Sequence, residues 1–455
     1  MVHASLEVVR RLEASGHRVT YACPHDVRRI IERHGIEFRQ LPPVRRQPAP
    51  ERPRRAGESR PSHKWAEWST RAQRRSEGTR ALGMESVEAL LEEVSPDLVL
   101  VDFDLEEHVI TCATKGYRTV ILSQWFEFKK RPGLPPLGSQ LVKGGASQRW
   151  WAWTRYRLRS RVRIASTYLR YFGTDRRGVI REYARCVGFP KSGLWPHDWS
   201  TLFAFGNLPV WSMTAGELDF PHDPHGLFTY IGPMVREDRR DDEQTLDARA
   251  KLAQVVEQAR SNGRRVLYAS FTSMSSNGSS KGASKGANQE AAGAPFIERL
   301  VEAVASRDDW VLVLGFGGDE GALEALRQRM GGTLPAQIEP CLWAPQLYAL
   351  ENADLFITHS GIHSIHEALL KGTPMVVYSA SAFDQDGCAA RLSFHRAASV
   401  GSRGESAIDI ASRLSAALIN ESTLKRADEL QARLLRYEGV LDAAVSTQLA
   451  APVSA

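Results

Sequence analysis

The residues able to do chemistry lie between Leu342 and Arg391. Trp343 and Gln346 come first, His359, Gly361, Ser364 and Glu367 follow, and Asp384 with Gln385 closes the set. A hydroxyl such as that of Ser364 can reach a phosphate oxygen, and a carboxylate such as that of Glu367 can accept from a ribose diol. ADLFITH is a short apolar, β-rich run ending at His359. Ser360 is expected to cap the next helix, with Gly361 allowing a tight turn. IHSIHEALLK carries Ile362, Ile365, Leu369 and Leu370 at helical spacing, and Gly372 ends it. A helix that starts at the carboxyl end of a parallel strand presents unpaired N–H groups, here those of Gly361, Ile362 and His363, and the positive end of its dipole. That is a physical recipe for holding a phosphate. Ser364 and Glu367, three apart, share a face. The segment reads as a cradle for a nucleotide diphosphate.

At these positions the chain resembles the family 1 UDP-glycosyltransferases of the plant, macrolide and sterol glucosyltransferase type. That family's signature runs Trp-x-Pro-Gln, then His-x-Gly-x-Asn-Ser-x-x-Glu, then Asp-Gln. Trp343, Pro345 and Gln346 match the first part, His359, Gly361, Ser364 and Glu367 the second, and Asp384 and Gln385 the third. His363 stands where the family has Asn. The resemblance implies that Trp343 stacks on uracil and Gln346 contacts the nucleoside. It puts His359 and Ser364 on the diphosphate, Glu367 on the ribose, and Asp384 with Gln385 on the sugar hydroxyls. It also implies two Rossmann-like halves facing a cleft (the GT-B fold), strongly in the second half of the chain and weakly in the first. In SFTSM the family has Ser-Phe-Gly-Thr beside the donor diphosphate; Thr272 replaces the Gly and Ser273 keeps the hydroxyl.

Inverting glycosyl transfer needs a base for the acceptor hydroxyl and a hold on the departing diphosphate. In the resembled family the base is a His just after the first strand, oriented by a distant Asp. Aligning SLEVVRRLEASGHRVTY with that family's first helix puts the expected His at Met1, with no first strand ahead of it. That strand is central in a doubly wound sheet, so its loss would strip ladder partners from both neighbours. The expectation is therefore a true start upstream of the given one, or a degenerate paralogue. His3 is the one nearby ring that could substitute, and its other reading is an ordinary helix-start residue. Asp102, at the end of LVLVD, stands where the family's orienting Asp lies. Asp102 and Asp104 also spell Asp-x-Asp, followed by Glu106 and His108, and residues i and i+2 on a strand point the same way. Because the helix terminus does the metal's work in the resembled family, no metal is expected, and Asp104 is read as a helix N-cap.

The remaining sequence fits an α/β chain of two domains. At 455 residues it can bury two cores. Its five cysteines are scattered and odd in number, which gives neither a disulfide framework nor a zinc site. No apolar run nears the roughly 18 residues that span a bilayer, and the start lacks the apolar core of a secretory signal. A cytoplasmic location is expected. SLEVVRRLEAS places Leu6, Val9 and Leu12 on one helical face; GHRVTYACP, PDLVLVDFD and YRTVILS read as strands, and RRVLYASF, FIERLVEAVASRDD and WVLVLGF begin a second βαβ cycle. The expected division is 1–230 for the acceptor half, 231–244 for a linker and 245–425 for the nucleotide-sugar half. A last helix, 426–455 with its tail, crosses back over the cleft.

SSNGSSKGASKGANQEAAGAP (275–295) is expected to be a flexible loop, and the Arg- and Pro-rich stretch from Val44 to Arg75 a mobile arm. RWWAWTRYRLRSRVR (149–163) mixes Trp, Tyr and Arg, in a chain of net charge +6. It reads as a half-buried helix with a solvated basic face, or as an interfacial helix on a membrane surface; nucleic acid is not an expected partner. PGLPPLGS (132–139) is expected on the acceptor side. Trp125, Phe126 and Phe128 are candidate pocket residues or core, and His222 and His225 a loop. The expected activity is inverting, metal-independent transfer of a hexose from a UDP-sugar co-substrate (dTDP-sugar as variant) to a small hydrophobic hydroxylated acceptor, with no bound cofactor. Two alternatives stand beside it: a catalytically silent relative that binds nucleotide sugar or assists a partner enzyme, and a nucleotide-sugar epimerase.

Overall fold

The computed structural model describes residues 2–44, 60–142, 144–197, 202–239, 243–271, 286–381 and 384–451. In the second half six strands form one parallel sheet: β9 (Arg265–Ser270), β10 (Trp310–Gly315), β11 (Ile338–Cys341), β12 (Leu355–Thr358), β13 (Met375–Val377) and β14 (Ala398–Val400). Their order is β11-β10-β9-β12-β13-β14, so the side to which successive strands are added switches between β9 and β12 while all six run parallel. In an open α/β sheet the crevice at such a switch point, outside the carboxyl ends of the strands, is where a ligand fits. Alternation of side chains builds the two faces. Leu267, Ala269, Leu312, Leu314, Leu355 and Ile357 meet Phe296, Leu300 and Val304 on one side, while Tyr268, Val313, Phe356 and Val377 join the larger cluster on the other.

The first half holds β1 (Thr20–Cys23), β2 (Glu37–Gln40), β3 (Val99–Asp102), β4 (Thr119–Ser123), β5 (Leu194–Pro196), β6 (Phe203–Phe205), β7 (Val210–Ser212) and β8 (Phe228–Tyr230). Its parallel strands come in two pieces, β1-β2 and β3-β4-β7-β8, with β5 and β6 as a separate antiparallel pair. The first helix, Val2–Ala14, lies across both pieces. Leu6 and Val9 pack with Ile31, Ile36 and Phe38, and Ala4, Val8 and Leu12 pack with Val120, Leu122 and Trp211. β1 is thus laddered only to β2, and β3 only to β4. The amides on their outer edges should exchange with solvent at least about a hundredfold faster than those of β9 and β12, which are paired on both sides. Hydrogen exchange resolved by residue checks this; equal protection would contradict the split.

The halves touch at several points. The helix Val440–Ala450 sets Leu441 and Val445 into the cluster of Ala4, Val8 and Leu12, and Tyr437 donates to Glu217 at 2.6 Å. Arg391 Nε meets Asp219 Oδ1 at 2.7 Å. A Cβ at Gly387 would lie 1.6 Å from the Leu137 carbonyl, so the 132–139 loop rests directly on that glycine.

Three local expectations differ from what is found. The stretch from Val44 to Arg75 forms helices at Arg60–Ser69 and Arg71–Arg80 in its described part. Residues 286–295 begin the helix Gly286–Ala305, so only 275–285 of the expected loop remains, outside the described residues. The helix after β3 is capped by Leu105, with no side-chain bond, rather than by Asp104. There Asp102 accepts the Asp104 amide at 2.8 Å, which holds Asp104 in the turn and starts the helix one residue later.

Candidate functional site

β12 is buried along its whole length between β9 and β13, so its carboxyl end is held on both sides. The chain then turns sharply. Ser360 takes a left-handed φ of 68°, at a cost of roughly 1 kcal/mol. Its hydroxyl stabilises that turn by donating to the Gln385 carbonyl at 2.7 Å. Gly361 is the N-cap in place of the expected Ser360, and the helix runs Ile362–Leu370. A Cβ at Gly361 would approach His359 Nε2 to 3.0 Å, so glycine lets the ring sit against the turn. Ile362, Ile365, Ala368 and Leu369 bury one face of the helix, and Gly372, with φ 68°, ends it.

On the other face Ser364 and Glu367 meet Gln346, which opens the helix Gln346–Asn352. Gln346 Nε2 donates to Ser364 Oγ at 3.2 Å and to Glu367 Oε2, while Arg239 donates to Glu367 Oε1. Three expected ligand residues are therefore joined in one hydrogen-bonded group, with an unforeseen arginine on its carboxylate. Trp343 is half exposed. Its ring lies over Gly318, where an added Cβ would come within 2.2 Å of it. One indole face is backed by glycine backbone and the residue keeps surface for a flat partner. Gly318 carried no sequence signal beyond being one glycine of a pair.

The imidazoles here are held neutral. Burial pushes His359 down to about 4, and its Nδ1 lies 3.4 Å from the Ser270 carbonyl at the end of β9. A carbonyl only accepts, so the neutral ring carries its proton on Nδ1 and leaves Nε2 as an acceptor. His363 is also well below its ordinary value, chiefly through burial and then through His366, Arg239 and His3. Its Nε2 donates to Gln124 Oε1 at 3.1 Å, bridging to the loop after β4 in the other half. His366 is pushed down to about 3 by burial, and neither of its ring nitrogens has a partner among the described residues.

Asp384 and Gln385 sit beside the same turn but are covered. Burial raises the Asp384 carboxyl to about 6, and Cys388 Sγ donates to it at 3.4 Å. Gln385 Oε1 accepts the Ala380 amide at 3.0 Å. Ser273 lies outside the described residues. His3 keeps one side exposed near Arg239 and Arg236; desolvation of its covered side and then the charge of Arg239 lower its pKa to about 4. The charge of Asp102 is felt at Tyr21 and Cys23 on β1.

Other candidates resolve into structure. Trp125, Phe126 and Phe128 are buried in the main core. His222 Nε2 meets Glu127 Oε2 at 3.1 Å in a buried pair. Glu106 and Glu107 turn to Arg176 at 3.3 and 2.6 Å. No group of three or more His, Cys, Asp and Glu among the described residues could hold a metal ion. No described helix is long and apolar enough to cross a membrane.

Comparison with known proteins falls on the same segment. The family described as UDP-glucoronosyl and UDP-glucosyl transferase matches residues 327–430. Oleandomycin glycosyltransferase of Streptomyces antibioticus is 31% identical over 150 residues, which is 33% of each chain. Phloretin 2'-O-glucosyltransferase of Malus domestica is 29% identical over 176 residues, 36% of this chain and 34% of that one. The chain thus spans about a third of the length of the curated relatives it matches. The crystal structure of the glycosyltransferase of kitacinnamycin aligns with a TM-score of 0.60 at 22% identity, over 98% of this chain and 95% of that one. The fold is that of the GT-B glycosyltransferases, and the motif-bearing segment, residues 327–430, is similar to the UDP-glucoronosyl and UDP-glucosyl transferase family.

Proposed function

We propose, from a GT-B fold whose motif-bearing segment is similar to the UDP-glycosyltransferase family, that the chain transfers a hexose from a UDP-sugar to a hydroxyl of a small lipophilic acceptor, with inversion and without metal. One observation carries the reading: the turn His359-Ser360-Gly361 and its helix open at the β9/β12 switch point, with Ser364, Glu367 and Gln346 hydrogen-bonded beside the half-exposed Trp343.

In this reading uracil lies on Trp343, the ribose hydroxyls replace Arg239 or Gln346 on Glu367, and the diphosphate faces the helix N-terminus. The acceptor oxygen attacks the anomeric carbon as the bond to the diphosphate oxygen breaks. The helix dipole, backbone N–H groups and Ser364 stabilise the charge that develops on the leaving group. His359 offers Nε2 as an acceptor, so holding a phosphate oxygen there takes up a proton, and the dianion's field favours that uptake. The acceptor proton goes to a base: the resemblance supplies Asp102 as its orienting carboxylate but places the base itself at Met1, and His3 is the nearby ring taken in its stead. Asp384 and Gln385, buried here, take the sugar hydroxyls that the resemblance gives them once they are uncovered.

The exposed His3, whose charged neighbours are Arg239 and Arg236, favours a second reading: a relative that binds nucleotide sugar without transferring it. A UDP-release assay over a panel of hydroxylated acceptors separates the two, with dTDP-sugar run beside UDP-sugar. Acceptor-dependent release that falls at least about tenfold in Asp384→Ala supports transfer. UDP binding with no release on any acceptor supports the silent relative, and loss of UDP-sugar without acceptor would support an epimerase.

A further inference from the structure

The longest helix, Ala146–Tyr171, takes no part in the site described above. Trp153 is its buried residue, donating from Nε1 to the Leu134 carbonyl at 2.8 Å and so pinning the helix to the 132–139 loop. Trp151, Leu158, Val162 and Leu169, at spacings of seven, four and seven, share one face. They are 65, 62, 61 and 69% exposed, an apolar stripe about 27 Å long at 1.5 Å per residue. Trp150 is exposed beside them, its ring 4.8 Å from that of Trp151. The helix contains seven arginines and no acidic residue. At 100° per residue Arg159 and Arg161 flank the stripe on opposite sides. Lys64 Nζ reaches the Arg170 carbonyl at 3.1 Å, which brings the helix Arg60–Ser69, with exposed Trp65 and Trp68, to the same end.

We propose that this helix docks the protein on an anionic lipid surface, with the Trp151–Leu169 stripe in the headgroup region and the flanking arginines on lipid phosphates. An apolar stripe of this length is a cost in water unless something covers it. The charge decides what does. A second copy packed face to face would set seven arginines against seven, whereas a negative leaflet neutralises them, and aromatic side chains suit the boundary between headgroups and acyl chains. The proposal is independent of glycosyl transfer: each can fail while the other stands.

The test is flotation of the full chain with vesicles of phosphatidylcholine and phosphatidylglycerol in equal parts, beside vesicles of phosphatidylcholine alone. Binding is expected to the mixed vesicles only, with release at 1 M salt, where the screening length is about 3 Å. The quadruple variant Trp151→Ser/Leu158→Ser/Val162→Ser/Leu169→Ser should lower partitioning at least about tenfold, and each of Arg157→Gln, Arg159→Gln and Arg161→Gln by about fivefold. All seven positions are exposed, so circular dichroism should report an unchanged fold. No flotation of the wild type, or flotation unaffected by the quadruple change, overturns the proposal. So does a wild-type dimer that the quadruple change dissolves without any vesicle binding.

Discussion

Replacing Arg391 with methionine is expected to cost about 3–5 kcal/mol of stability, the range for removing one partner of a buried ion pair. Arg391 is among the largest fully buried side chains of the protein. Its guanidinium sits 4.6 Å from the centroid of Phe126 and 4.8 Å from that of Phe220, between two ring faces supplied by the opposite half. Nε donates to Asp219 at 2.7 Å and Nη1 to the Gly387 carbonyl at 3.1 Å. Methionine fills much of the slot between the rings but leaves the Asp219 carboxylate buried without its cation. The Tyr230 hydroxyl at 2.6 Å and the Phe220 amide at 2.8 Å still donate to it, which keeps the loss below that of a bare charge. Urea unfolding of the variant measures the effect. Pairing it with Asp219→Asn should recover part of the loss, because the orphaned charge is then gone. A loss under about 1 kcal/mol would mean that this pair does not join the halves.

The second large effect is acid destabilisation of the donor region. His359 and His366 titrate near 4 and 3 in the folded protein, against 6.5 when unfolded, because burial disfavours the imidazolium. Below pH 6.5 the unfolded chain takes up protons that the folded chain refuses. The stability these groups contribute is therefore full above 6.5 and is lost as pH falls towards 4 and 3. His363 shifts in the same direction. Asp384 opposes them: its carboxyl, raised to about 6, holds a proton that the unfolded chain has released above 3.8. Its contribution grows as pH falls from 6 to 3.8. Two histidines outweigh one carboxyl, giving a net loss on the order of 4 kcal/mol between pH 6.5 and 4. Denaturant titrations across that range check it. His366→Leu should flatten the profile, since a ring with no hydrogen-bond partner among the described residues is replaced by an apolar side chain of similar bulk. Stability that stayed flat or rose on acidification would contradict the burial of these rings.

The donor cradle was legible in sequence because its parts are local. Strand, turn and helix between Leu355 and Leu370 follow from periodicity and one glycine, and the motif residues fall on the face that the helix leaves open. Capping was misjudged by one residue at two places for the same reason. Ser360 and Asp104 both have capping side chains, but a left-handed φ at Ser360 and the Asp102–Asp104 bond place the helix starts one position later. What could not be read are pairs that only folding brings together. Arg239 and Glu367 are 128 positions apart, and Asp219 and Arg391 are 172 apart, with no periodicity linking either pair. Composition marked 149–163 as basic and aromatic. The order in which its faces meet protein or water depends on which tryptophan is buried, and no spacing rule distinguishes Trp153 from Trp150 and Trp151.

Isothermal titration of UDP into the intact chain tests the central claim most directly. Binding is predicted, with a heat that differs between phosphate and Tris buffers because His359 takes up a proton. Glu367→Ala and Ser364→Ala should each weaken it at least about tenfold, or 1.4 kcal/mol. Absence of binding heat in the folded wild type, or an affinity unchanged by Glu367→Ala, would contradict the account.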